Sequence, residues 1–590
     1  MQRIKPKTYK ILFLFFIIFI GFVIFLGATF YWATAPRRLP TLTYKEVTHA
    51  MRGDIISRDD FRVATSKKLY KVSVDTRNID PQKKQLFVKL YSLYSGDDYQ
   101  KVLKLINGTF GNVVLSYNID SKKAKYLKNL ARKLSPLKVF VSYKDPKSKD
   151  GFVHGMSVEE SGEKRIYPAK DTLTPIIGYV RKIEKNRMTT ITGVKGTEKY
   201  YEDKLTPIQD SILKGHRDIA NTVILDGYSM YTKRVDGLNV YLNISLKLQK
   251  VIEKILDDKK KYLKAQEIIA CVMDSQTGAI LALATSNRFD PDFIRRVDYP
   301  SLNVSAIEYS YEPGSVMKPI TFSLLLAANK VNPFDLVRIF GGKYRIGHKV
   351  IHDTHDFEWL SAEDVIVHSS NVGMAQLAQK LDPIEFYRGL KDFGFSQKTG
   401  IDLPYEAKGA IPPLHKFESE IYKATIGYGY GLDANFMQLL KAYSVFNNNG
   451  RMVTPKIAKR ISSDNGKYNL DNYMSQKQVI PVVVAKRMHK ILIKTVLKGT
   501  GKAAIYDGLE IGGKTGTAHI AGGGGYTNKY NSSFFGFAND KNSRYTIGVL
   551  VRNPKKRYHY YASQTAVPTF REIVDKLVEE GLLKPFSSNQ

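Results

Sequence analysis

The residues in this chain best suited to chemistry are Ser315-Val316-Met317-Lys318, Ser369-Ser370-Asn371 and Lys514-Thr515-Gly516-Thr517. In order they read S-x-x-K, S-x-N and K-T-G-T, the parts of a serine acyl-transfer site. Each alone is weak, since a Ser-Lys pair is usually helix surface and Ser-Ser-Asn usually a turn or cap. The ordered set is strong. Gaps of 54 and 145 residues leave room for a helical subdomain and then a return to a sheet.

A serine hydroxyl is a poor nucleophile without a nearby base. At i and i+3 on a helix, Ser315 and Lys318 share a face, so the amine reaches the hydroxyl. The lysine must be neutral for part of the cycle, which desolvation and a second cation arrange; Lys514 is the candidate second cation. Pro313-Gly314 suits a turn into a helix, whose positive end would favour the nucleophile. A loop facing that helix would carry Ser369, to pass a proton to a leaving amine, and Asn371, to hold Lys318 and a substrate amide. Leu509 to Gly513 has strand character, and a strand beside the nucleophile can pair with an extended peptide. Gly516 permits close backbone approach. The N–H groups of Ser315 and Thr517 are the candidate oxyanion hole, with Thr515 and Gly516 beside them.

Gly508 to Thr515 also fits the phosphate-binding pattern G-x-x-x-x-G-K-[ST]. That motif needs a helix after Lys514-Thr515. The residues that follow, including the run Gly522 to Gly525, read instead as strand and then flexible loop. No cofactor is expected. His352, Asp353, His355 and Asp356 match no standard metal spacing, so no metal is expected and a solvated loop is the reading.

The chain has 590 residues, 43% hydrophobic, enough for two or three domains. Ninety basic against 56 acidic residues give a charge of +34, suited to an anionic membrane or wall polymer. The lysines are scattered and no zinc-finger, RRM or helix-turn-helix signature is present, which argues against nucleic acid as a partner. The one cysteine, Cys271, lies in an apolar run and reads as a small hydrophobe in a strand.

Ile11 to Trp32 runs 22 residues without a charge, about 33 Å as a helix and enough for a bilayer core. Arg3, Lys5, Lys7 and Lys10 precede it, which places residues 1–10 in the cytoplasm. Residues 11–32 then form an uncleaved anchor, although Ala33-Thr34-Ala35 resembles a signal-cleavage site. Residues 37–237 read as mixed and non-catalytic, with strands at Leu69 to Val74 and Val139 to Tyr143, a helix at Asp120 to Leu134, and a further strand at Val240 to Ile244. Residues 238–590 read as α/β: a helix at Ser245 to Leu263, a hairpin at Ile268 to Ala284, then the Ser315 helix. A strand at Tyr545 to Val551 and a helix at Val567 to Leu582 close the domain.

On these motifs the chain resembles the class B penicillin-binding proteins, the monofunctional peptidoglycan transpeptidases. Arg52-Gly53-Asp54-Ile55-Ile56-Ser57-Arg58 looks like the family's element at the start of its pedestal domain, and Gly193 to Tyr201 like a second pedestal segment. Glu312 to Pro319, His368 to Met374 and Phe393 to Pro404 look more like the division-specific type than the elongation type. Four departures from the pattern stand out: Ser57 replaces an aspartate, Asp59-Asp60-Phe61 replaces an Asn-Gly, Ala562-Ser563-Gln564 replaces a glycine pair, and Ile426 to Gly431 keeps only the glycines of its stretch.

The resemblance implies an α/β (α+β) fold: one transmembrane helix, a β-rich pedestal of the dimerisation type, and a transpeptidase domain with an antiparallel sheet flanked by helices plus an all-helical subdomain. It implies a serine-type D-Ala-D-Ala transpeptidase of the carboxypeptidase class, at the inner membrane with its catalytic domain in the periplasm. Its substrates would be peptidoglycan stem peptides ending in D-Ala-D-Ala, and β-lactams its covalent inhibitors. A glycan polymerase and other division-complex membrane proteins would be its partners. The alternatives are an elongation-type enzyme, a β-lactam-hydrolysing relative, a β-lactam sensor and a catalytically idle scaffold.

Overall fold

The computed structural model describes residues 6–35, 42–144, 151–185, 188–218, 223–463, 466–469, 476–522 and 525–586. Arg3, Lys5, Arg37 at the start of the 37–237 region, Gly523 and Gly524 lie outside them. The chain forms two units. One holds the described residues up to Thr48 with Asp210–Arg234. Its helix Pro6–Thr34 contains an 18-residue stretch of mean hydropathy 3.1 and exposes its apolar side chains throughout. It is the one helix among the described residues long and apolar enough to cross a membrane. The same unit holds a small antiparallel sheet in which Ser211–His216 pairs with both Thr43–Thr48 and Met230–Thr232.

The second unit, His49–Gln209 and Val235–Gln590, contains the three motifs. Its larger sheet centres on the strand Arg62–Asp75, paired with Ser157–Ile166 and Asn112–Asp120. Phe87, Tyr91 and Leu127, from the helices Lys84–Ser95 and Ser121–Leu134, join Val72 and Val74 in one buried cluster. Asp120 caps the second helix by accepting from the Lys123 amide at 2.9 Å, and Arg132 and Lys133 complement its other end. The strand expected at Val139 to Tyr143 is not formed as such. Phe140 makes a single bridge to Ile79, and only Tyr143–Lys144 is a strand. Val139 and Phe140 are both buried, so the alternation of a half-buried strand is absent, and Lys138 just before them has φ of 48°.

The chemistry-bearing part is built on α1 (Leu246–Leu263), β1 (Glu267–Asp274), β2 (Ile280–Thr285), α2 (Lys318–Ala327), α3 (Ala362–Val367), α4 (Asn371–Gln379), β3 (Glu510–Gly522), β4 (Gly525–Asn539), β5 (Arg544–Arg552) and α5 (Ala566–Glu579). Ser245 caps α1, and the Asp59 carboxylate adds bonds from the Leu246 and Lys247 amides at 2.9 and 3.0 Å. β1 and β2 form the expected hairpin, its turn held by Asp274 accepting from the Gln276 and Thr277 amides. The five strands are antiparallel in the order β2-β1-β5-β4-β3, which leaves β3 at the edge. Cys271 is buried in β1 as expected, and burial pushes its thiol pKa up. α5 ends before Leu582 because Gly581 turns with φ of 70°.

Three segments far apart in sequence meet in a buried ionic network. Arg52 Nε donates to Glu198 Oε2 at 2.9 Å, Arg52 Nη2 to Glu202 Oε2 at 2.8 Å, and Arg165 Nε to Glu198 Oε1 at 2.6 Å. Burial alone would raise the Glu198 carboxyl; the Arg165 and Arg52 guanidiniums outweigh it and hold the pKa below the usual range. Nearby, Tyr201 Oη donates to Asp402 Oδ2 at 2.6 Å, and Asp402 also accepts from the Ile457 and Ala458 amides at 2.6 and 2.8 Å. Glu198→Ala leaves Arg165 and one arm of Arg52 buried without their carboxylate, at a cost of about 3–5 kcal/mol. We expect a lower urea midpoint for the full chain; an unchanged midpoint would show that the network contributes nothing net.

Candidate active site

Ser315 lies in a single 3₁₀ turn, Gly314–Met317, that runs directly into α2. Three contacts shape this turn. Gly314 has φ of 63° and its amide donates to the Gly429 carbonyl at 2.9 Å. A Cβ on Gly429 would stand 1.9 Å from the Gly314 oxygen, so this glycine of the departing Ile426 to Gly431 stretch has a steric reason. Tyr443 Oη donates to the Val316 carbonyl at 2.7 Å from a fully buried position.

One turn on, Lys318 is 0% exposed. Its Nζ donates to the Ser369 carbonyl at 2.6 Å and to Asn371 Oδ1 at 2.8 Å, and lies 3.3 Å from Ser369 Oγ. An ammonium fills all three contacts as a donor. A neutral amine has two N–H groups for the two carbonyl oxygens and a lone pair left to accept from the Ser369 hydroxyl. The geometry therefore suits both protonation states. Burial pushes the Lys318 pKa down to about 7, against an opposing pull from the Asp353 carboxylate.

Lys514 is also 0% exposed. Its Nζ donates to the Thr515 carbonyl at 3.1 Å and lies 3.4 Å from Thr515 Oγ1. Burial lowers its pKa well below the ordinary lysine value, and the charge of Lys318 adds to the effect. The expectation gave desolvation and a second cation, Lys514, as joint causes of a neutral Lys318. At Lys318 the leading cause is burial, and the mutual repulsion registers at Lys514.

The second motif joins α3 to α4. Ser369 has φ of 60°, in the left-handed region, which turns its carbonyl and hydroxyl together toward Lys318. Ser370 caps α4, its Oγ accepting from the Gly373 amide at 2.8 Å. Asp353 completes the anchor: it accepts from Ser370 Oγ, from the Asn371 amide and from the Val372 amide. Asn371 Nδ2 donates to the His352 carbonyl at 3.0 Å. The solvated-loop reading of His352 to Asp356 is thus corrected at Asp353, which is tied to a helix terminus needing hydrogen-bond acceptors. Among the described residues no three His, Cys, Asp or Glu side chains group as metal ligands.

β3 carries the third motif. Lys514 to Thr517 pair with Phe535 to Ser532 of β4, and the other edge of β3 faces away from the sheet. A Cβ on Gly516 would lie 2.7 Å from Ser533 Oγ and 2.9 Å from Val316 Cγ1, so the glycine lets this strand press against the turn that carries Ser315. β3 continues past Thr517 to Gly522, and β4 returns from Gly525. Gly522 and Gly525 are paired, while the middle of the expected glycine loop lies outside the described residues; with strand rather than helix after Lys514-Thr515 the phosphate-binding reading fails.

Several residues at the site carried no signal in the sequence. Thr500 Oγ1 lies 2.7 Å from Thr515 Oγ1, and the Ala562 amide donates to Thr517 Oγ1 at 3.1 Å. Glu312 Oε1 accepts from the Gly431 amide at 2.7 Å and from Tyr526 Oη at 3.2 Å. Asp353 and Thr500 belong to no motif, and Ala562 stood out only as a departure from the family's glycine pair; tertiary pairing brings all three in. The assembled site presents a half-buried hydroxyl, a buried amine of lowered pKa, a hydroxyl poised between donor and acceptor roles, and a strand edge for a peptide.

Two family models match the chain: the penicillin binding protein transpeptidase domain over residues 268–575, and the penicillin-binding protein dimerisation domain over residues 47–242. Stage V sporulation protein D of Bacillus subtilis (strain 168) is 30% identical over 547 residues, covering 90% of this chain and 78% of the relative. A probable peptidoglycan D,D-transpeptidase, PenA, of Neisseria flavescens is 29% identical over 394 residues, covering 66% of this chain and 92% of the relative. Penicillin binding protein 3 of Mycobacterium tuberculosis, solved with aztreonam, shares the fold with a TM-score of 0.65 at 22% identity, over 92% of this chain and 98% of that one.

With Lys318 near 7, its amine is neutral above that pH and available to accept the Ser315 proton. We expect acylation of Ser315 by an activated acyl donor to rise as pH climbs through about 7 and then level off. Asp353 favours the charged lysine, so Asp353→Asn moves the midpoint to lower pH. A rate that stays flat from about pH 5 to 9 would remove Lys318 as the base.

Proposed function

The chain belongs to the class B penicillin-binding proteins, and from that premise we propose that Ser315 is the nucleophile with which it acts as a peptidoglycan D,D-transpeptidase. The observation that carries this reading is the three-contact seat of the Lys318 amine on Ser369 and Asn371. Neutral Lys318 takes the Ser315 proton as Oγ attacks the penultimate D-alanine carbonyl of a stem peptide. The tetrahedral oxyanion is met by the Ser315 and Thr517 amides. As it collapses the C–N bond breaks, and the proton passes from Lys318 through Ser369 to the leaving nitrogen, releasing D-alanine. An amine of a neighbouring stem then attacks the ester; a C–N bond forms, the C–Oγ bond breaks, and the amine proton returns to Ser315. Thr515 to Thr517 hold the donor peptide along the edge of β3. A β-lactam enters the first half of this cycle and stays on Ser315.

Residues 37–237 serve as a non-catalytic pedestal and 238–590 as the transpeptidase domain; the extents of the two family matches support this division. Residues 11–32 anchor the protein in the inner membrane, with residues 1–10 in the cytoplasm and the catalytic domain in the periplasm. The apolar helix Pro6–Thr34 and the basic residues at its start support that orientation. The setting is septal wall synthesis beside a glycan polymerase and other division-complex membrane proteins, a reading supported by the division-type character of Glu312 to Pro319, His368 to Met374 and Phe393 to Pro404.

The test is labelling of the detergent-solubilised full chain with a fluorescent penicillin. We expect a covalent adduct lasting many minutes on the wild type and none on Ser315→Ala. Lys318→Ala slows labelling by about 10²–10⁴-fold. A folded wild type that takes no label would sink the acyl-transfer reading, and an adduct that turned over in seconds would make the protein a hydrolase.

A further inference from the structure

A cleft of about 510 Å³ is lined by His355, His368, Lys498, Thr500, Lys502 and Ser563, with Gly499 and Ala503 between them. No carboxylate lines it. Among the described residues neither Lys498 nor Lys502 forms an ion pair, whereas Lys494, one turn before Lys498, is neutralised by Glu363 and Asp364 at 2.7 and 2.8 Å. Phe357 packs between the two histidine rings, at 6.1 Å from His355 and 4.9 Å from His368. Burial lowers the His368 pKa, with Asp364 opposing and His355, Lys494 and Lys502 adding to the effect.

The position of this cluster gives it meaning. His368 immediately precedes Ser369, the residue placed on the path of the leaving amine. Thr500 joins the cleft to the third motif through its 2.7 Å contact with Thr515. Ser563 follows Ala562, whose amide binds Thr517. The cleft thus opens beside the second and third motifs together. By microscopic reversibility the attacking amine arrives on the side from which the first amine departed. The donor peptide has the edge of β3 to pair with, so an acceptor needs a different hold.

We infer that His355, His368, Lys498 and Lys502 form an acceptor subsite that binds a carboxylate carried beside the attacking amine. This inference rests on the acyl-transfer reading. Held there, the amine presents its lone pair to the Ser315 ester; the C–N bond forms, the C–Oγ bond breaks, and its proton returns to Ser315 through Ser369 and Lys318. An anionic acceptor is thereby preferred over an uncharged one.

The test uses the solubilised full chain, a D-alanyl thioester donor, and D-alanine or D-alaninamide as competing acceptors. In Lys498→Glu/Lys502→Glu we expect the ratio of transfer to D-alanine over D-alaninamide to fall about tenfold from its wild-type value. A variant that merely folds poorly loses both acceptors alike and leaves the ratio in place, so an unchanged ratio overturns the inference. Penicillin acylation is followed in parallel. If it falls as far as transfer to D-alanine does, the cluster holds the donor's carboxylate and the acceptor assignment is overturned. A wild type that takes no penicillin overturns the acyl-transfer reading and this inference with it.

Discussion

The seating of one buried amine governs the rest of the site. Lys318 has no solvent contact, and a charged lysine there pays a large desolvation cost. The Ser369 carbonyl and Asn371 Oδ1 satisfy it without a full counter-charge, which keeps its pKa within reach of neutrality. A carboxylate in direct contact would have locked the ammonium. Asp353 shows the compromise. It acts on Lys318 from behind the second motif, spending its oxygens on Ser370 and on the Asn371 and Val372 amides. The same carboxylate therefore fixes the loop and sets how basic the lysine is. The left-handed backbone at Ser369 is the strain this arrangement requires, because only that turn brings carbonyl and hydroxyl to one amine.

Close approach of three backbones is the second constraint, and glycine supplies it at two places. Gly516 brings β3 against Val316, and Gly429 brings the segment after helix Glu420–Gly427 against Gly314. A methyl group at either position would push a strand or a turn outward, and the distance between the hydroxyl and the strand edge would grow. Behind these contacts lies one large buried cluster that includes Val316, Met317, Ile320, Phe436 and Phe535. The turn carrying Ser315 is therefore set on packed core rather than on a loop. The site's precision comes from rigid elements, and its reactive groups sit at their ends.

Much of this was legible in the sequence where local rules decide the outcome. The helix from Ser245 and the hairpin after it follow from a cap, an apolar period and a Gln276-Thr277-Gly278 turn. The three motifs fall together because the chemistry dictates residue type and spacing within each. Asp353 was misread because its neighbours His352, His355 and Asp356 look like a solvated cluster, and nothing local reveals that α4 begins beside it. Val139 to Tyr143 was misread because an apolar run alone does not separate a strand from a plug into a helical layer. β3 runs further than expected because the glycine run suggested a loop, whereas its ends, Gly522 and Gly525, pair with each other as strand. Thr500 and Ala562 illustrate the general limit: hydroxyl and amide partners brought in by tertiary contact leave no pattern in sequence.

The Arg52–Glu198–Arg165 network raises the question of why charge is buried where apolar packing is cheaper. Arg52, Arg165 and Glu198 are all buried, and such a network is weak evidence for stability in itself. Its value lies in what it discriminates. Each guanidinium must find Glu198, so only one arrangement of the Arg52 segment, the strand Ser157–Ile166 and the helix Gly196–Tyr200 satisfies all three. That helix then delivers Tyr201 to Asp402, and Asp402 fixes the amides at the start of Ala458–Ser463, a strand that pairs with Asn239–Leu242. Specific polar contacts thus run from the pedestal segments into the part that carries the motifs. Apolar packing alone does not distinguish one register of these pieces from another; the buried charges select one.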